Sequence, residues 1–196
     1  AVKNSLMNYR LRKSSPWFLT LIGAYQDAQT VGVCISYQCW KYNPKKGIDK
    51  PAIELRPLEN IRIDPGADWA DPINSSPYVI DMLAMRVMDV KARMTTPNER
   101  TGEAKWLKVD DSTLRAGVTQ YGDSTRLQRE QGRTDSKDQQ QAITDYSIVW
   151  VHKNIVEKDG EDWLYYTLGT TELLSKPVLL SEQYAHGKRP YVLGIA

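Results

Sequence analysis

The sequence has few of the residues that metal, redox and nucleophilic sites use. Its 196 residues include two cysteines and two histidines, and the one phenylalanine contrasts with six tryptophans and eleven tyrosines. Cys34 and Cys39 are five positions apart, which on one extended strand separates them by about 17 Å and turns them to opposite faces. A disulfide needs Cα atoms within about 7 Å, so we expect free thiols, as in a reducing compartment.

Motifs that mark catalytic or nucleotide-binding sites are also missing from the sequence. There is no Gly-Lys-Ser/Thr phosphate loop, no Gly-x-Gly-x-x-Gly after a strand pattern, no His-Glu-x-x-His and no Gly-x-Ser-x-Gly. His152 and His186 are too far apart to form a recognisable zinc site with the cysteines. The best apolar run, Trp17–Ile22, is too short to span a membrane. We therefore expect no enzymatic activity, no cofactor and no membrane partner.

Positive charge is concentrated at the start of the chain. The net charge is +2, but residues 1–50 carry eight basic and two acidic side chains, a net +6, so the remainder carries −4. Arg10, Arg12 and Lys13 form a basic cluster with Trp17 nearby. This cluster could contact a phosphate backbone or dock onto an acidic protein. A nucleic-acid-binding protein that uses this basic helix is therefore one alternative function.

The stretch Pro51–Ile80 has the most strongly encoded turns. Proline fixes φ and aspartate accepts hydrogen bonds from the backbone that follows, so Asp64-Pro65 and Asp71-Pro72 predict a rigid loop between two strands. Asp64, Asp68 and Asp71 could instead hold Mg²⁺ or Ca²⁺, which would suit a metal-dependent hydrolase. Aspartate before proline commonly serves the turn, and the spacing of a calcium loop is absent, so we predict no metal site.

Two helices and a hairpin are predicted in the first sixty residues. Residues 2–14 read as a short basic helix anchored by Leu6 and Met7, and Ser15-Pro16 starts a long helix that ends near 30–32. Residues 33–40 alternate as a strand, and 51–57 pair back across a turn at 43–47. The long helix carries an apolar stripe with i, i+3, i+4 and i+7 spacing: Phe18, Leu21, Ile22, Tyr25, Gln29 and Gly32.

The second half of the chain predicts a β-meander. Residues 78–87 read as a strand, Asp89 as the cap of a helix over 90–94, 106–109 as a short strand and 112–121 as a weak helix. Residues 122–142 form a flexible loop or insertion. Strands from Tyr146 onward turn at Asp159-Gly160 and again at 169–171. Residues 143–196 complete the domain begun by 1–121, and the fold class is α+β: a long N-terminal helix feeding a mixed or antiparallel sheet, with a C-terminal antiparallel meander.

Five weak motifs occur in a recognisable order. A helix ends in Asp27-Ala28-Gln29-Thr30-Val31-Gly32, and a strand ends in Tyr37-Gln38-Cys39-Trp40. A corner reads Pro57-Leu58-Glu59-Asn60-Ile61-Arg62-Ile63-Asp64-Pro65. A strand with Pro77-Tyr78-Val79-Ile80 and a segment Pro190-Tyr191-Val192-Leu193-Gly194 follow. This order resembles the portal, or head-to-tail connector, proteins of tailed bacteriophages over most of 5–94 and 143–194, and 95–142 would be a variable insertion.

The resemblance implies a structural virion protein without catalytic activity. Portal subunits form a dodecameric ring at one capsid vertex, through which the terminase pumps double-stranded DNA and to which the tail later docks. The expected partners are further copies of the chain, terminase, capsid or scaffold proteins and tail adaptors, in a virion assembled in bacterial cytoplasm. We expect this chain to be the wing and part of the body of a longer subunit, whose stem helices would follow residue 196.

Overall fold

The chain forms two compact units. The computed structural model describes residues 2–10, 13, 16–43, 46–97, 104–114 and 145–195. Unit 1 comprises residues 1–79 and 184–196, and unit 2 comprises residues 80–183, so the chain leaves unit 1 and later returns to it. Helices and antiparallel sheets confirm the predicted α+β class. The predicted loop at 122–142 and most of the predicted helix at 112–121 lie outside the described residues.

The helices and strands have the following bounds. In chain order they are α1 (Val2–Tyr9), α2 (Trp17–Val31), β1 (Val33–Asn43), β2 (Ile48–Arg56), a short 3-10 helix (Leu58–Asn60), β3 (Ile61–Ile63), α3 (Pro72–Ser75), β4 (Tyr78–Arg86), α4 (Val87–Thr95), β5 (Ile148–Lys158), β6 (Glu161–Leu168), β7 (Glu172–Leu173), β8 (Val178–Leu179), α5 (Leu180–Gln183) and β9 (Tyr191–Ile195).

Unit 1 contains a three-stranded antiparallel sheet in the order β2-β1-β9. The predicted hairpin is confirmed, since β1 pairs with β2 along its length from Ile35 opposite Arg56 to Asn43 opposite Ile48. On its other side β1 pairs with β9, with Val33 opposite Ile195 and Tyr37 opposite Tyr191. The sequence indicated an extended segment at β9 but not its partner, which lies more than 150 residues away.

Helix α2 packs its small residues against this sheet. Its half-buried positions are Thr20, Gly23, Ala24 and Ala28, and it contacts β1 and β2. A Cβ atom on Gly23 would lie 2.7 Å from Cδ1 of Leu55, so the lack of a side chain allows this close approach. The helix ends as predicted at Gly32, whose φ of 85° is the left-handed cap. Its N-cap position is Pro16, one residue later than predicted.

Arg189 ties the return of the chain to the corner loop of unit 1. Its guanidinium Nη1 donates hydrogen bonds to the carbonyl oxygens of Ile73 and Ser76, both at 2.6 Å, and the residue is 7% exposed. The Ser76 hydroxyl in turn accepts the Asp64 N–H at 2.9 Å and donates to the Tyr78 carbonyl at 2.6 Å. These bonds satisfy backbone groups of a loop that has little regular secondary structure of its own.

Unit 2 has its core around a second sheet. Its strands follow the order β4-β5-β6-β7, with β8 pairing with β6. The predicted meander is confirmed by the antiparallel pairing of β5 with β6 and of β6 with β7. The predicted strand at 106–109 is wrong, because these residues belong to no strand of the structure. Trp106 is buried in the core, and its ring lies against Tyr166 at 5.4 Å between centroids. The buried core residues are Val87, Val90, Met94, Trp106, Leu114, Val149, Val151, Leu168 and Leu174.

Helix α4 begins earlier than the sequence predicted. Its N-cap is Arg86 and its first residue is Val87, so Asp89 lies in the first turn and does not cap the helix. A carboxylate there still complements the positive end of the helix dipole. Val87, Val90 and Met94 are buried in the core. This packing favours a helix that starts at Val87, two residues before Asp89 and three before the predicted first residue.

Replacing Arg189 should destabilise unit 1. In Arg189→Ala the buried carbonyls of Ile73 and Ser76 lose charged donors, so we expect the free energy of unfolding to fall by about 3 kcal/mol. Chemical denaturation followed by circular dichroism measures this loss. Lys188→Ala, which removes an exposed neighbouring cation, should change stability by less than about 0.5 kcal/mol. Equal stabilities for the two variants would show that the Arg189 hydrogen bonds contribute nothing.

The β5–β6 turn should depend on its glycine. Asp159 and Gly160 have φ values of 56° and 80°, a conformation that costs a residue with a side chain about 1–2 kcal/mol. Gly160→Ala should therefore lower the free energy of unfolding by that amount in denaturant titrations. The control is Gly66→Ala, where the added Cβ meets Oδ1 of Asp64 at an ordinary 3.6 Å. A Gly160→Ala protein as stable as the control would contradict the assignment of this turn.

Candidate interaction surface

The three loop aspartates each serve a turn. Oδ1 of Asp64 accepts the Gly66 N–H and Oδ1 of Asp68 accepts the Ala70 N–H, both at 3.0 Å. Asp71 caps α3, where its carboxylate accepts hydrogen bonds from the backbone and side-chain amides of Asn74. In the part of the chain that the structure describes, no group of three or more His, Cys, Asp or Glu residues is suited to hold a metal ion.

Divalent metal ions should therefore leave the thermal stability unchanged. Occupation of a site at one hundred times its Kd would add about 2.7 kcal/mol to the free energy of unfolding and raise the melting temperature by several degrees. We expect no shift in thermal scans with millimolar Mg²⁺, Mn²⁺ or Ca²⁺ against a chelator control. A rise in melting temperature that the Asp68→Asn substitution abolishes would support a metal-dependent hydrolase.

The other candidate groups have structural surroundings. His152 is 6% exposed in β5, within a run of buried residues from Val151 to Ile155. His186 is exposed, its Nδ1 accepts the Lys188 N–H at 3.0 Å, and its ring stacks on Tyr184 at 5.7 Å between centroids. Cys34 and Cys39 lie half-buried on β1 and are not joined by a disulfide, as their spacing on one strand predicted.

The N-terminal basic cluster is accessible where the structure describes it. Arg10 and Lys13 are exposed, and Arg12 lies outside the described residues. The predicted anchoring of α1 by Leu6 and Met7 is wrong, because no residue of α1 is buried and both side chains are more than half exposed. The apolar side chains of α1 are therefore part of the exposed surface and do not anchor the helix to unit 1.

The sequence indicates the apolar stripe of α2 but not that this stripe is exposed. No residue of this helix is buried, and Phe18 and Leu19 are 70% and 69% exposed. The apolar stripe predicted from the sequence thus points away from the sheet, because the small residues occupy the side that contacts it. We call this surface the α2 face; it consists of Trp17, Phe18, Leu19, Leu21, Ile22 and Tyr25.

The α2 face has the composition of a protein–protein interface. Monomeric soluble proteins rarely expose large apolar patches, and the aromatic residues tryptophan, tyrosine and phenylalanine are enriched at protein–protein interfaces. The sequence that contains it is basic: residues 1–31 hold Lys3, Arg10, Arg12 and Lys13 against Asp27, a net +3. A surface that covers the α2 face would be apolar at its centre.

Two further exposed aromatic side chains lie near the turn of the β1–β2 hairpin. Trp40 and Tyr42 are each 61% exposed on one face of β1, and the Trp40 indole N–H donates to Oδ1 of Asp49 at 2.6 Å. On the opposite face Lys41 pairs with Glu54 at 2.7 Å. This hydrogen-bonded pair raises the pKa of Lys41 above its ordinary value of 10.5, against a smaller opposing effect of burial.

Comparison with known proteins leaves the family open. No protein-family model matches the sequence, and a search of the curated proteins finds no match. Among the described residues, no helix is both long and apolar enough to cross a membrane. The interpretation of the chain therefore depends on its own residues and surfaces.

Proposed function

We propose that this chain is a structural assembly protein, the wing and part of the body of a bacteriophage portal subunit. The observation that supports this most is the α2 face, a group of large apolar side chains exposed on a helix that contacts the sheet through its small residues. The order of the five motifs described above agrees with it. So does the observation that the three loop aspartates, the best candidate metal ligands, shape turns.

Burial of the α2 face supplies a driving force for permanent assembly. Complete burial of one large apolar side chain is worth about 1.5–3 kcal/mol, and this face presents six of them. Helix α2 contacts β1 and β2, with Gly23 close to Leu55, so it lies on the sheet before any partner binds. A preorganised surface loses less conformational entropy on binding than a flexible one does.

The charge distribution favours assembly through two different surfaces. Unit 1 has twelve basic and seven acidic residues, a net +5, whereas unit 2 has a net −3. A two-fold contact of the α2 face with itself would bring the basic N-terminal segments of both copies together. A contact between unit 1 of one copy and unit 2 of the next joins opposite charges, and repeated contacts of this kind form a ring when the rotation from copy to copy closes.

The remaining parts of the proposal come from the resemblance. The ring is dodecameric in the full-length subunit, sits at the capsid vertex of the virion and passes double-stranded DNA. Terminase, capsid or scaffold proteins and tail adaptors bind it from outside. The chain contributes neither catalysis nor a cofactor.

Electron microscopy tests the proposal. The 196-residue chain and a longer protein that contains it should be imaged in negative stain, with analytical ultracentrifugation of the same samples. We expect rings with a central hole for the full-length protein. A monodisperse monomer of the full-length protein at micromolar concentration would contradict the proposal.

Charged substitutions on the α2 face should weaken assembly without unfolding the chain. Phe18→Glu combined with Tyr25→Glu adds two carboxylates to the centre of the apolar surface, and we expect assembly to need at least about tenfold more protein. Gln26→Glu combined with Thr30→Glu is the matched control, because it adds two carboxylates at exposed polar positions of the same helix. Circular dichroism should be unchanged in both variants. Equal assembly by both would exclude the α2 face from the interface.

The exposure of Arg10 and Lys13 favours one alternative, a nucleic-acid-binding protein. Its affinity for DNA would fall steeply with salt, and the slope would decrease when phosphate contacts are removed. Fluorescence anisotropy with a labelled duplex at several salt concentrations, on the chain and on the Arg10→Glu, Lys13→Glu variant, distinguishes it. Salt-sensitive binding by discrete monomers, lost in the variant, would support this alternative over the ring.

A further inference from the structure

Strand β1 has two sections with different neighbours. From Val33 to Tyr37 it lies between β2 and β9, and from there to Asn43 its ladder is with β2. The hairpin therefore continues past the three-stranded region as a two-stranded arm. We define this arm as residues 38–43 with 48–53.

The backbone of the arm leaves one edge of β1 open. The Gln38 N–H donates to the Pro190 carbonyl at 2.8 Å, so the backbone groups of Gln38 point to the β9 side. Backbone groups alternate in direction along a strand, so those of Trp40 and Tyr42 point the same way, away from β2. No strand in the described part of the chain pairs with these two residues on that side. Two N–H and two C=O groups thus form a template for an added strand.

The two edges of the arm differ in whether they allow an added strand to form hydrogen bonds. On the outer edge of β2, Pro51 lies opposite Trp40 and removes a donor, which is one of the ways in which proteins blunt an exposed edge. The edge at Trp40 and Tyr42 contains no proline, and both side chains are 61% exposed. Large aromatic residues at alternate positions give an added strand cross-strand partners.

We propose that the edge of β1 at Trp40–Tyr42 binds an extended segment of another protein as an added strand, in line with β9. The backbone groups of Trp40 and Tyr42 supply up to four hydrogen bonds, as in other cases of strand addition. Specificity comes from alternate side chains: β-branched or aromatic residues opposite Trp40 and Tyr42, with an acidic residue opposite Lys41 on the other face. This site is separate from the α2 face and goes beyond ring formation.

Charge disfavours a second copy of the chain as the occupant. Antiparallel pairing of two identical edges in the register that joins Trp40 to Tyr42 of the other copy would place Lys41 directly opposite Lys41, and like charges in that position are destabilising. The hairpin over residues 38–54, which includes the arm and its turn, carries four lysines against Asp49 and Glu54, a net +2, so two hairpins also repel as a whole. A segment with an acidic residue between two apolar ones complements the arm in both respects.

Selection of peptides tests the site directly. A library of random heptapeptides displayed on phage is panned on the full chain, and the enriched peptides are synthesised and titrated by fluorescence anisotropy. We expect an alternating pattern, apolar-acidic-apolar with β-branched or aromatic residues at the apolar positions. Hydrogen exchange of the Trp40 and Tyr42 amides should slow at least about tenfold when peptide is bound. The Lys41 amide points to β2 and should not change.

A proline substitution separates backbone pairing from side-chain contact. Tyr42→Pro removes an N–H that points away from β2, in the way that Pro51 already does on the opposite edge, and should weaken binding at least about tenfold. Tyr42→Thr keeps the N–H and introduces a β-branched side chain that suits a strand, so it should retain most of the affinity. Circular dichroism checks that both variants are folded. Ring formation in electron microscopy should be the same in all three proteins, which keeps this test independent of the proposed function.

Three results would overturn the proposal. One is a selection that enriches no peptide. Another is a set of peptides that bind Tyr42→Pro as tightly as Tyr42→Thr, or that leave the Trp40 and Tyr42 amides unprotected. The third is a dimer of the chain, detected by sedimentation at rising concentration and abolished by Tyr42→Pro, because the edge would then be occupied by a second copy.

Discussion

The close packing of Gly23 on Leu55 sets the orientation of the most informative surface in this protein. Because the sheet side of α2 consists of small residues, the helix lies near β1 and β2 and has no room there for its aromatic side chains. Those side chains must then point outward. A helix whose large residues faced the sheet would bury them and present a polar surface, with no apolar face for a partner to cover.

Unit 1 combines this packing with contacts between residues that are distant in the chain. Strand β9 returns to pair with β1, and Arg189, two residues before it, donates to the carbonyl oxygens of Ile73 and Ser76. The loop with two Asp-Pro steps is thereby held at one end by its own turns and at the other by the guanidinium of Arg189. Such a loop is rigid for reasons of hydrogen bonding, without any need for a metal ion.

Local signals were sufficient for several elements and misleading for others. The hairpin of β1 and β2, the end of α2 at Gly32 and the turn at Asp159-Gly160 follow from alternation and glycine or aspartate chemistry within a few residues. Asp89 has the chemistry of a cap, yet α4 starts at Val87, because burial of Val87 and Val90 outweighs a polar signal. The basic cluster and the loop aspartates were identifiable by residue type, but the structure decided their surroundings: Arg10 and Lys13 are exposed, whereas Asp64 and Asp68 accept hydrogen bonds within their turns.

The amino-acid sequence by itself determined the α+β class, the positions of the turns and the concentration of positive charge at the N-terminus, since each depends on residues close together in the chain. Tertiary structure decided which side of α2 faces the sheet, which strand β9 joins and which edge of β1 stays open. Periodicity shows that a helix has an apolar stripe but not whether the same chain covers it. That depends on the shape of the surface it meets, here one that accepts glycine and alanine and excludes tryptophan and phenylalanine.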